Sequence, residues 1–250
     1  MVTTQRDSRI DPDRIERDLR GTAPVGAPFD PAELDGLPAP VQRYLTASIA
    51  AGTPASSVAT LHMRGEIRLG RWIPFTATEV LAPHRGFLWR ARAARVITGF
   101  DAYLAGVGAM RWRLLGVPLV RASGADVSRS AAGRCAAEAV WVPTTLLPRF
   151  GVAWSAPSDD HVVASYRLDA TPVQLHLWLD EAAHPTTIAF ERWGDPTRTG
   201  THGWHRFVGR VREHRSFGGL TVPSAGTWGW DLDAGRGEFF RCRLTDVVAG

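Results

Sequence analysis

From residue 59 onward, hydrophobic and polar positions alternate along most of the chain. In TLHMRGEIRLG, Leu61, Met63, Ile67 and Leu69 fall on one side, and His62, Arg64, Glu66 and Arg68 on the other. A period of two predicts a strand with one wet face. Gly70-Arg71 turns into WIPFTATEVLA. Pro83-His84-Arg85-Gly86 then turns into FLWRARA, where Phe87, Trp89 and Ala91 oppose Leu88, Arg90 and Arg92. Further strands are predicted over 95–105, 109–114 and 117–122, and a second group over 161–168, 172–180, 186–194, 204–215, 226–232 and 237–247. The clearest is VQLHLWLD, with Val173, Leu175, Leu177 and Leu179 against Gln174, His176, Trp178 and Asp180.

Three stretches break the alternation. Asp11-Pro12 is placed to cap a short helix carrying Ile15 and Leu19 on one face. In PAPVQRYLTASIAAG, Val41, Tyr44, Leu45 and Ile49 recur at helical spacing, and Gly52 ends the pattern. DVSRSAAGRCAAEAV at 126–140 is Ala-rich and predicts a helix capped by Asp126 or Ser128, stopped by Pro143 and followed by a short turn in TTLLPRF.

About eleven strands joined by such short turns must pair antiparallel, and so many in one open sheet should curl. The expected fold is mainly β with helices (α+β): a single strongly curved antiparallel sheet of about eleven strands, an open half-barrel covered by helices. Residues 1–24, polar and followed by GTAPVGAP, are expected to be a mobile arm. Residues 25–250 are expected to be one domain, with a helical insertion near 126–148.

Composition changes this picture little. Of 250 residues, 44% are apolar and 22% charged, as in an ordinary globular protein. All 29 basic residues are Arg, and there is no Asn, which reads as coding bias. The net charge of +4 is small, and no basic stripe of a nucleic-acid binder stands out. The N-terminus lacks the apolar core of a secretory signal, and no run approaches the length of a membrane span. Cys135 and Cys242 have no motif spacing and read as free buried thiols. A cytoplasmic protein is expected.

Candidate chemistry concentrates in EAVWVPTTLLPRFGVAW at 138–154. Glu138, near a helix end, is placed either as a buried acid or as the partner of an Arg that fixes the helix on the sheet. Trp141, Leu146, Leu147 and Trp154, with Trp89 and Tyr103, are candidates to line a pocket or simply to fill the core. Asp101 is a second candidate acid. His202 and His205, with Asp195 nearby, form an H-x-x-H, but its loop-like setting favours surface histidines, so no metal and no cofactor are implied. Gly106-Val107-Gly108 lacks the rest of a dinucleotide fingerprint, and no hydrolase, P-loop or zinc-protease signature occurs. Arg90 and Arg92 share a strand face, as do Arg206, Arg210 and Arg212, and Arg241 and Arg243. These rows read mainly as solvated faces, with anion binding as the alternative.

LPAPVQRYL at 37–45, RGEIRLGRWIPFTATEV at 64–80, GFLWRAR at 86–92, EAVWVPTTLLP at 138–148, VPSAGTWGW and EFFRCRL resemble a bacterial domain-of-unknown-function family across residues 37–248. That resemblance implies no activity. In shape alone, the expected sheet is similar to the half-barrels of LolA- and LppX-type lipoprotein carriers, which implies an apolar hollow between sheet and helices. All ten tryptophans lie between Trp72 and Trp230, more aromatic surface than a thin core requires. The leading expectation is therefore binding of a hydrophobic or amphipathic small molecule, lipid- or acyl-like. The alternative is an enzyme of unknown reaction using Glu138 or Asp101 as acid or base, which requires one of them in the pocket without an Arg partner. A third is an interaction module whose Arg-rich face meets anionic lipid or nucleic acid.

Overall fold

Two runs of hairpins meet at the chain's ends. The first comprises β1 (Ala59–Leu69), β2 (Arg71–Ala82), β3 (Gly86–Ala93), β4 (Ile97–Leu104), β5 (Val107–Leu114) and β6 (Val117–Ser123). The second comprises β7 (Ala153–Ser158), β8 (His161–Leu168), β9 (Thr171–Leu179), β10 (Pro185–Gly194), β11 (Gly203–Phe217), β12 (Leu220–Leu232) and β13 (Gly235–Ala249). Within each run every strand pairs antiparallel with its neighbours in sequence, and β13 returns to pair with β1. The result, a computed structural model describing residues 10–22, 26–232 and 235–250, is one thirteen-stranded sheet with β6 and β7 at its edges.

The sheet holds thirteen strands rather than about eleven, and β7 is the one that the alternation does not mark. AWSAPS in β7 carries no clean alternation and contains Pro157; a proline is tolerated there because β7 is an edge. β12 adds no strand to the count, but it begins at Leu220, six residues before the expected start, because Gly218 and Gly219 make the turn, both at positive φ.

Curvature follows from what one helix touches. Helix α3 (Ala125–Ala137) contacts both β5 and β10. Those strands are eight positions apart in the sheet, or roughly 38 Å if it were flat. A helix with its side chains is only about 10–12 Å wide, so the sheet must wrap around α3. Tyr103 on β4 also donates to Asp169 in the β8–β9 turn, tying the two halves across the hollow. Helix α2 (Ala39–Ser48) covers the same inner side against β7, β8 and β12, through buried Val41, Tyr44 and Leu45.

The N-terminal stretch departs from expectation. Residues 12–20 are not a loose arm: they form helix α1 (Pro12–Arg20), capped by Asp11 as its sequence predicts. Ile15 and Leu19 are buried against Val80, Leu88 and Ala102 on the outer face of β2–β4. Burial of each such side chain contributes about 1.5–3 kcal/mol, and Arg90 adds ion pairs to Asp13 and Glu16. The expectation rested on the polar fraction; the two-residue apolar face was legible, but its partners on β2–β4 were not. Residues 1–9 and 23–25 lie outside the described residues.

Candidate functional site

The hollow under the C-terminal end of α3 encloses a cavity of about 300 Å³. Its walls are aromatic: Trp89, Trp141, Phe207, Trp228, Trp230 and Phe240 all reach it. Alternation delivers most of them, since Trp228 and Trp230 sit two apart on β12. Phe239 and Phe240 are adjacent, yet both reach the cavity. The register between β12 and β13 slips at Trp228/Gly229, leaving Phe239 as the extra residue of a β-bulge, and a bulge re-aims side chains in this way.

Two glycines let the indoles lie flat on the sheet. Gly209 on β11 faces Trp228, and a Cβ there would come 2.5 Å from the indole nitrogen. At Gly194 on β10, a Cβ would come 2.6 Å from the ring of Trp230. Any side chain at these positions would push a tryptophan into the cavity.

One wall carries charge. Arg134, on the last turn of α3, meets three carboxylates: Nε to Glu138 at 2.8 Å, Nη1 to Asp101 at 3.3 Å and Nη2 to Glu79 at 3.3 Å. Its guanidinium also lies over Phe87 and Trp89, 4.5 and 5.4 Å from the ring centroids. Burial works against the charge of Arg134, but Glu138, Glu79 and Asp101 outweigh it and raise its pKa. Asp101 accepts from the Trp112 indole at 2.9 Å; burial pushes its carboxyl up, and Arg134 partly offsets this. Glu79 is fully buried. Burial first, and then the neighbouring Glu138, raise its carboxyl well above the usual range. Glu79 and Glu138 each keep one buried oxygen without a hydrogen-bond partner. A proton held on Glu79 turns one of that pair into a donor, the state its raised pKa favours.

Arg192 on β10 is the second cation of the cavity, and it is held differently. Its Nε donates to Ser130 at 3.3 Å, and its guanidinium lies 5.0 Å from the Phe207 ring centroid and 5.5 Å from that of Trp230. It makes no ion pair among the described residues. Burial, with Arg134 adding, lowers its pKa to about 10, so it remains charged at neutral pH.

The predicted site residues divide. Trp89, Trp141, Glu138 and Asp101 come together on the cavity wall. Leu146 and Leu147 are fully buried in the core. Trp154 packs on Tyr44 with ring centroids 5.8 Å apart, its indole donating to the Leu146 carbonyl. Tyr103 is occupied by Asp169. These four do not reach the cavity. The condition for an acid–base enzyme is not met: both Asp101 and Glu138 lie in the cavity, and both are paired with Arg134.

Arg134 and Arg192 escaped the sequence reading. Arg134 stands four residues before Glu138 on a predicted helix, and that spacing was a usable signal. Nothing local in FERWG marks Arg192. His202 approaches Asp126 at 3.9 Å, His205 packs on Trp230, and Asp195 binds the amides of its own loop at Thr199 and Gly200. Among the described residues no three such side chains gather to hold a metal. Cys135 and Cys242 are buried and form no disulfide, and the Cys135 thiol donates to the Ala82 and Pro83 carbonyls.

Residues 27–242 match a family described only as a Family of unknown function (DUF6544). No curated protein matches the chain. Two solved structures resemble it distantly. One is a LolA superfamily protein from Nitrosomonas europaea, at 10% identity over 84% of this chain and 92% of that one, with a TM-score of 0.45. The other is a domain assigned to outer membrane lipoprotein sorting from Vibrio parahaemolyticus, at 8% identity over 77% and 85%, with a TM-score of 0.43. Both likenesses are too remote to carry a ligand or a role over to this chain.

Proposed function

The chain belongs to this family of unknown function, and from its cavity we propose that it binds one hydrophobic or amphipathic small molecule, acyl-like, beneath α3. The observation that carries the reading is the aromatic hollow of about 300 Å³ left open beside a guanidinium. Ligand pockets are mainly apolar walls with a few placed polar groups, starting near this volume. Arg134 is spent on its three carboxylates, so it cannot recognise a ligand without giving one up. Arg192 has no such partner and sits where an anionic head group would lie while the tail follows Trp228, Phe240 and Trp89. A guanidinium gives a carboxylate or phosphate paired hydrogen bonds.

Tryptophan fluorescence titration with dodecanoate and with dodecanol tests both halves of this reading. Dodecanoate is expected to quench at lower concentration than the alcohol, by about tenfold, the value of one charge-assisted hydrogen-bond pair. Arg192→Met should erase that difference and leave dodecanol unaffected. If neither probe quenches, and native mass spectrometry of freshly purified protein shows no bound lipid, the cavity is only a packing defect and the reading falls.

A further inference from the structure

The turns β1–β2, β3–β4 and β5–β6 lie at one end of the sheet, closed by the pairs Leu69–Arg71, Ala93–Ile97 and Leu114–Val117. The turns β2–β3 and β4–β5 lie at the other. The first end is greasy. Leu69, Val96, Leu114, Leu115, Val117 and Leu119 are among the nine large hydrophobic residues exposed on the described surface, and Leu115 is 75% exposed. Leu115 also sits in the left-handed region, at φ 50°. Such a hairpin position favours Asn, Asp or Gly, so a leucine there has no benefit inside the monomer.

The same strands are strongly basic. Residues 59–123 hold ten arginines and three carboxylates, a net of +7 within a chain of +4. Two of the three carboxylates, Glu79 and Asp101, face inward to Arg134. The third, Glu66, pairs with Arg241. Behind the greasy tips, the outer face holds a trough of about 1060 Å³ whose lining includes Arg64, Arg92, Arg113 and Arg121, beside Arg90, which Asp13 and Glu16 of α1 already pair. Arg68, Arg71 and Arg95 flank the tips themselves and are exposed.

We propose that this end of β1–β6 docks on a lipid bilayer carrying anionic head groups, with the three hairpin tips entering the interface and the arginines meeting the phosphates. Exposed apolar residues ringed by cations match the two layers of a membrane surface: acyl boundary and charged head groups. A nucleic acid would use the arginines and leave the tips in water. Three tips at the end of one sheet suit an extended surface better than a small soluble anion. The inference stands whether or not the cavity is occupied.

Flotation of the full chain with vesicles tests it. Vesicles of phosphatidylcholine with about one-third phosphatidylglycerol should carry the protein, pure phosphatidylcholine should carry far less, and about 0.5 M salt should release it. Leu115→Asp with Val117→Asp should weaken binding about tenfold or more, and Arg95→Glu with Arg113→Glu should abolish it. Both pairs are exposed, so thermal unfolding should stay unchanged; where it does not, Leu115→Ser with Val117→Thr replaces the aspartates. The proposal is overturned if anionic vesicles fail to carry the wild type at low salt, or if neutral vesicles carry it equally. It is also overturned if the tip variants bind as well as wild type, if a short DNA duplex displaces the vesicles, or if the tip substitutions instead split a dimer of this chain.

Discussion

Strands β3 to β5 form a wall between two hollows, and the two sides treat arginine in opposite ways. On the inner side, Arg134 is surrounded by Glu79, Asp101 and Glu138. On the outer side, six arginines line one trough; Arg90 pairs there with Asp13 and Glu16 of α1, while Arg64, Arg92, Arg113 and Arg121 face the trough away from the Glu79–Asp101–Glu138 cluster. Period-two alternation sorts the residues: Trp89 and Asp101 go in, while Arg90, Arg92 and Phe100 go out. A buried cation is costly to desolvate and is usually neutralised by carboxylates, as Arg134 is, whereas a wet one need not be; Arg192 bears that cost on the inner side without an ion pair, its pKa lowered by burial. The neutralised arginine is thus a structural part. Arginines left without carboxylates are available to something outside the protein, and Arg192 is an inner member of that class.

The largest expected effect separates these classes directly. Arg134→Met leaves three carboxylates facing a cavity without their cation. It should cost about 3–5 kcal/mol in denaturant unfolding, the range for breaking a buried ion pair from one side. Arg92→Met or Arg64→Met on the outer face should change stability by no more than about 0.5 kcal/mol. Equal losses at inner and outer positions would erase the distinction.

That contrast also marks how far the sequence could be read. Alternation located the strands and sorted inner from outer residues, because a strand's side chains obey a local rule. The pairing of Glu138 with an Arg was legible as one of two readings, since Arg134 and Glu138 share a helix face. Cavity membership was not legible. Leu146, Leu147 and Trp154 look like pocket residues in sequence, yet the two leucines are buried in the core and Trp154 packs on Tyr44. The pocket instead joins Phe207, Trp228 and Phe240, from the neighbouring strands β11–β13, to Trp89 on β3. That meeting depends on the register slip at Trp228/Gly229 and on the long-range pairing of β13 with β1. Helix α1 was legible as a helix but not as a docked one, since its partners Val80, Leu88 and Ala102 come from three strands.

A smaller effect sharpens the inner side alone. Gly209→Ala places a methyl where the Trp228 indole lies and drives the ring into the cavity. Overpacking of this kind costs about 1–3 kcal/mol, and the displaced ring should weaken dodecanol binding about tenfold for each ~1.4 kcal/mol of lost contact. The outer trough, on the far side of the sheet, should bind vesicles as before. If dodecanol binds Gly209→Ala as well as wild type, Trp228 is not a wall of the ligand site.

The smallest effect concerns the proton between Glu79 and Glu138. Burial raises the Glu79 carboxyl well above its ordinary value of 4.5, so the folded protein holds a proton that the unfolded chain releases. The stability this group contributes is complete below 4.5 and declines as pH rises toward the folded pKa. Glu79→Gln keeps the shape and removes the titration. Its unfolding midpoint should therefore fall less than that of wild type on going from about pH 5 to pH 8, with the two curves closest at the acidic end. The outer arginines do not titrate in this window, so a Glu79→Gln protein should keep the wild-type pH response of vesicle binding while losing that of stability. Parallel stability curves for the two proteins would mean that Glu79 is already ionised beside Arg134, and that the inner wall carries one more negative charge than its geometry indicates.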